Sequence, residues 1–289
     1  MRSRAAGRAV PVNIETMTAT NGIDQNPPRA QGWRSHRAGL WVIGLCGLAL
    51  AAAIVVLPPL PEPPVFRGRA DNRAFFGIAN FLNVVSNAPF LLIGAWGLYF
   101  VASARIGRGG AFTDPLEKWP YAFCFLAVAL VAAGSAYYHL LPDSARLMWD
   151  RLPMGLAFMS LLAAAIVERI SAKAGLRLLL PLLLAGAGSV IYWRWSVMQG
   201  AENLLPYVAV QYGSIAAVLG IAALFPSRYT RGNDIFGVLA IYAAAKAAEV
   251  LDARIYALGQ LVSGHTLKHL LAALAAYWLL RMLQLRRPR

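Results

Sequence analysis

Three of the four histidines in this 289-residue chain, His139, His265 and His269, fall in strongly apolar surroundings. His265 and His269 are four residues apart, and His139 follows Ser135 at the same spacing, so each pair shares one face if the local structure is helical. Two imidazoles from one helix and a third from a neighbour offer three neutral nitrogens to one metal ion and leave a fourth position open, which is the donor set of a catalytic zinc site. Zinc held in this way lowers the pKa of a bound water from 15.7 to about 7, giving a nucleophile at neutral pH. Asp150 is then a candidate base for the water's proton, and Ser135 a candidate donor to a substrate carbonyl or its developing oxyanion.

Each of these residues has a plainer reading on its own. A lone His139 suits a hydrogen-bonded structural role, and His265 with His269 suits polar contacts between helices. Ser135 fits as a small packing residue, and Asp150 as a helix cap or a partner of Arg146 or Arg151. The five taken together favour the metal. His36 lies in a polar N-terminal segment and is set aside. A second stripe, Lys246, Glu249 and Asp252, is spaced by three; the spacing predicts a Lys246–Glu249 ion pair. Asp252 is expected near the histidines, orienting one of them through its second ring nitrogen. Lys268 sits about 100° round the helix from His269, which suits contact with a lipid headgroup or with an acid of the Lys246–Asp252 stripe better than coordination.

The elements that must position these residues follow from composition. The chain is 58% hydrophobic and 14% charged, with a mean hydropathy of +0.54, whereas soluble domains carry about 25% charge. It is therefore read as an all-α integral membrane protein. Cys46 and Cys124 both lie in apolar runs, which excludes a cysteine cluster or a disulfide framework. Crossing about 30 Å of hydrocarbon takes roughly 20 apolar residues, and eight stretches qualify: 40–57, 79–103, 119–141, 152–167, 178–193, 204–225, 235–251 and 262–280. The net charge of +14 would suggest nucleic acid in a soluble chain. Here 18 of the 27 Lys and Arg fall in the segments on the N-terminal side of the membrane and 7 on the other, with Lys246 and Lys268 inside spans. That asymmetry predicts both termini in the cytoplasm, no nucleic-acid partner, and the histidines toward the outer face of what suits a bacterial inner membrane. The expected organisation is a disordered basic tail over 1–38, an extra transmembrane helix over 39–60, and a core over 71–284.

The elements Asn80-Phe81-Leu82-Asn83-Val84-Val85-Ser86-Asn87, Gly134-Ser135-x-x-x-His139, Asp150-Arg151-Leu152-Pro153-Met154 and His265-x-x-x-His269 resemble, in order and spacing, those of the alkaline ceramidases. These belong to a superfamily of seven-helix membrane hydrolases that includes the adiponectin-type receptors. The resemblance implies a seven-helix zinc amidase core behind one extra N-terminal helix, with His139, His265 and His269 binding Zn²⁺. It also implies that Ser135 and Asp150 assist hydrolysis of a ceramide-like membrane lipid to a fatty acid and a sphingoid base. Eukaryotic members carry an acidic calcium-binding cluster ahead of the first core helix, with glutamate where this chain has Asn80; only Asp71 is nearby, which speaks against a calcium site of that design. The competing expectations are a zinc-containing receptor or sensor of lipids without turnover, and a transporter using Lys246, Glu249 and Asp252, against which the lack of an internal repeat counts. A haem site is disfavoured because His265 and His269 cannot ligate opposite faces of one porphyrin. A serine–histidine hydrolase fits the crowd of three histidines less well than a metal does.

Overall fold

A computed structural model describes residues 29–63 and 68–289; the expected basic tail lies outside the described residues up to residue 28. Among the described residues there are ten α-helices and no strand. They are α1 (Arg29–Val56), α2 (Phe81–Val85), α3 (Ala88–Ser103), α4 (Lys118–Leu140), α5 (Ser144–Arg169), α6 (Ala172–Met198), α7 (Leu205–Leu224), α8 (Asp234–Val250), α9 (Asp252–Ala257) and α10 (Gly264–Leu285). Six segments are long and apolar enough to cross a membrane: the last 20 residues of α1, α2 with α3, α4 with the turn before it, α5, α6 and α7. The 17-residue α8 and the His- and Lys-bearing α10 complete the bundle. Leu45, Leu48 and Val55 on α1, with Leu180 and Leu184 on α6, stand exposed, as side chains facing hydrocarbon should. This is an all-α integral membrane fold.

Helix α5 is central, packing against α4, α6 and α7, while α8 packs on α10, α3 touches both α4 and α10, and α1 lies against α7. Helix α1 starts at Arg29, so residues 29–38 of the expected tail are helical, and two other boundaries differ from expectation for local reasons. The 79–103 stretch is broken at Ser86–Asn87, where the Asn87 amide donates to the carbonyls of Asn83 (2.7 Å) and Val84 (3.3 Å). Pro89, near the start of α3, has no N–H to continue the ladder. Helix α5 starts at Ser144 rather than at Leu152, because the Asp143 carboxylate accepts the Arg146 N–H at 2.8 Å and caps it. Asp150 thus lies within the helix, and capping is not its role.

Glycine sets the closest approach between α4 and α5. A Cβ at Gly134 would lie 2.0 Å from the Trp149 carbonyl oxygen. That carbonyl is four residues before Pro153, whose missing N–H removes the bond it would accept within the helix. Gly134 and Pro153 therefore belong to one joint, and the joint brings Ser135 alongside Asp150.

Candidate metal centre

The C-terminal end of α4 and the N-terminal end of α10 meet at one end of the bundle. His139, one residue before the last of α4, is 1% exposed, and His265 and His269 in the first turns of α10 are 1% and 2% exposed. Their ring centroids lie 4.6–5.1 Å apart, and one ligating nitrogen from each falls within 4.8 Å of the other two. The Nε2 atoms of His139 and His265 are 3.1 Å apart. Two nitrogens on one tetrahedral zinc, each about 2.0–2.1 Å from it, sit roughly 3.3 Å apart. His139 Nδ1, His265 Nδ1 and His269 Nε2 are buried with no hydrogen-bond partner, although buried polar atoms are nearly always partnered. Three imidazoles buried this close together fit a metal, and among the described residues this is the one group of His, Cys, Asp and Glu placed to hold an ion.

The surroundings fix the rings. Ser86, at the break between α2 and α3, has its hydroxyl 2.8 Å from His269 Nδ1, which leaves Nε2 for the cluster. Ser263 caps α10 by accepting the Thr266 N–H at 3.1 Å, and Thr266 in turn donates to Asn83 at 3.0 Å. Asn80 adopts the left-handed conformation, φ +50°, which asparagine tolerates, and its amide donates to the His139 carbonyl at 2.8 Å. At Gly264 a Cβ would meet the Ala248 carbonyl oxygen at 2.1 Å, so only glycine lets α10 start this close to α8.

Asp252 corrects one expectation. It is near the histidines, but its carboxylate accepts the backbone N–H of His265 (2.7 Å) and of Ala70 (2.9 Å) rather than a ring nitrogen. It is an acid at the start of the six-residue α9, placed where backbone donors rather than an imidazole are within reach. Glu249 is the acid nearer a ring, its Oε1 3.8 Å from His265 Nδ1. The Lys246–Glu249 pair forms, and Lys268 joins it with a 3.0 Å bond to Glu249. Asp71, ahead of α2, is tied to Arg73 at 2.8 Å, and that bond holds its carboxyl below the usual carboxylate range.

A cavity of about 390 Å³ opens beside the histidines, within the range of about 300–1,000 Å³ usual for ligand sites. Its polar end is lined by Ser135, Asp150, His269, Arg151 and Lys268, and it continues along apolar side chains to Cys124, Val238 and Leu279. Ten residues of α10 separate His269 from Leu279, which at 1.5 Å per residue is about 15 Å of apolar wall. The structure thus brings all five sequence-predicted site residues to one end of the bundle. Ser86, Gly134 and Arg151 were not foreseen as site residues. The signal for Ser86 was its place with Asn83 and Asn87 in a polar stripe inside an apolar span.

Fold and site together define a polytopic helical membrane protein with a buried three-histidine centre beside a largely apolar cavity. The ceramidase family model matches residues 73–244, well over half of the chain, and the chain belongs to that family. The matched residues include Ser135, His139 and Asp150 and stop short of His265 and His269, so α10 is supplied by the structure. No curated protein matches closely enough to count as a relative.

Proposed function

We propose that this protein is a zinc-dependent amidase of the membrane that cleaves a ceramide-like lipid into a fatty acid and a sphingoid base. The observation that carries the reading is the cluster of three buried imidazoles, close enough to share one ion, beside a cavity shared by Ser135 and Asp150, in a chain of the ceramidase family. His139, His265 and His269 would hold the zinc, which when bound supplies Lewis acidity and an activated water. Asp150 takes the proton from the attacking water and returns it to the departing amine nitrogen, so that water and amide become carboxylate and amine. The Ser135 hydroxyl donates to the carbonyl oxygen as charge builds on it. Ser86 holds the His269 ring in register by its hydrogen bond to Nδ1. The apolar wall beyond Met154 takes a hydrocarbon chain. The asymmetry of basic residues supports cytoplasmic termini and an outward-facing centre, with residues 39–60 as a helix added to the core.

The test is hydrolysis of a fluorescent ceramide panel by the purified chain, with and without a chelator, beside His265→Ala. Fatty acid should be released by the wild type and lost in both other arms. Lipid bound and recovered intact would point instead to a receptor.

A further inference from the structure

The segment joining α1 to the core, residues 57–63, reads Leu-Pro-Pro-Leu-Pro-Glu-Pro and precedes the residues matched by the family model. Four prolines fix its backbone as an extended strap. It is pinned to the α6–α7 connection by Leu60, whose carbonyl accepts the Leu204 N–H at 2.7 Å and whose N–H reaches Asn203 Oδ1 at 3.2 Å. So placed, the strap carries Leu60, Glu62 and Pro63 into the lining of the cavity that holds Ser135, Asp150 and His269. Glu62, 9% exposed, forms an ion pair with Arg151, 6% exposed, the residue following Asp150. The Arg151 guanidinium is stacked on Trp193 at 4.2 Å and lies 5.4 Å from the Tyr207 ring. Its Nη2 is taken by Glu62, while its Nη1 is buried with no partner.

A buried donor without a partner at the polar end of a cavity calls for an acceptor from a ligand. Because Glu62 already neutralises the guanidinium, an anionic acceptor would meet the carboxylate's repulsion, whereas a neutral oxygen would not. A hydroxyl suits the pair best, since it accepts from Arg151 and has a proton to give to Glu62.

We propose that Glu62 and Arg151 form the headgroup subsite, selecting lipids with a small, neutral, hydroxylated headgroup over deoxy or phosphorylated ones. The inference rests on the lipid-amidase reading for its substrate class, but its test does not depend on turnover.

The experiment uses the full chain in lipid nanodiscs with three probes: a ceramide, its 1-deoxy analogue and its 1-phosphate. Retention of each is measured by native mass spectrometry, and kcat/KM for each in parallel. The wild type should prefer ceramide over the 1-deoxy lipid by about 10- to 100-fold, the size of a hydrogen bond to a charged group. Glu62→Gln should narrow that preference and raise retention of the 1-phosphate at least about threefold, because the repelling carboxylate is gone. The double variant Glu62→Leu/Arg151→Met removes both charges together, so no buried ion is left alone, and it should erase the preference. A wild type that retains all three lipids alike, or a double variant that keeps the full preference, overturns the proposal. Selective retention of ceramide without cleavage would sink the amidase reading and leave the subsite standing; cleavage without selectivity would do the reverse.

Discussion

Two ends of the same bundle bury charged and polar groups, and they do so in opposite ways. At the end away from the histidines, Arg286 is 1% exposed, yet its guanidinium bonds Glu168 (2.8 Å), the Ala111 carbonyl (2.8 Å) and Tyr121 (3.3 Å) and is stacked on Tyr229 at 4.0 Å. Arg169 beside it donates to the carbonyls of Ala222, Phe225 and Gly232. Among the described residues no polar side-chain atom of that end is buried without a partner, and the neighbouring cavity is only about 20 Å³. At the histidine end, a ring nitrogen of each of the three imidazoles and Nη1 of Arg151 have no partner, and the cavity beside them is about 390 Å³. Burial and charge are common to both ends. What separates the structural clasp from the proposed reactive site is whether the protein itself completes the hydrogen bonding.

That contrast predicts opposite phenotypes. Arg286→Met should strand Glu168 as an uncompensated buried charge and cost about 3–5 kcal/mol of stability. A large fall in denaturation temperature should accompany unchanged zinc content and kcat/KM in the molecules that remain folded. Asp150→Asn should do the reverse, lowering kcat by roughly 10²–10⁴ as expected for loss of a general base, with thermal stability and metal content close to wild type. Ser86→Ala probes the boundary between the two kinds of role. Releasing the His269 ring should weaken zinc affinity by about 10- to 100-fold, read by competition with a chelating dye, with a much smaller change in melting. The smallest effect is expected at Asp71. Its carboxyl is held below the usual range by Arg73, so the tie stabilises the fold above about pH 4 and is lost as pH falls through the depressed value. Wild type should lose a few degrees of melting temperature on acidification relative to Asp71→Asn.

The contrast also explains what was legible in the sequence. The eight apolar stretches correspond to α1, α2 with α3, α4, α5, α6, α7, α8 and α10 because hydrophobic length survives any detail of packing. The histidines stood out because ionisable groups inside apolar runs are rare and costly. Ser86 was harder to see, since a serine in a span is usually a packing residue and only the bend at Ser86–Asn87 brings it to His269. Asp252 was placed correctly near the centre and assigned the wrong atom: spacing along a helix predicts proximity but cannot tell a backbone N–H from a ring nitrogen. The Glu62–Arg151 pair joins residues 89 positions apart through a strap with no periodicity. The Arg286 clasp, likewise, depends on contacts across more than a hundred residues.

The most direct test of the central claim is the zinc content of the purified full chain, by elemental mass spectrometry, for wild type, His269→Ala and Arg286→Met. Three imidazoles that hold one ion predict about one zinc per wild-type chain, little or none in folded His269→Ala, and an undiminished ratio in folded Arg286→Met. Wild-type protein that is folded, purified without chelator and free of bound metal, or His269→Ala that holds as much zinc as wild type, would contradict it.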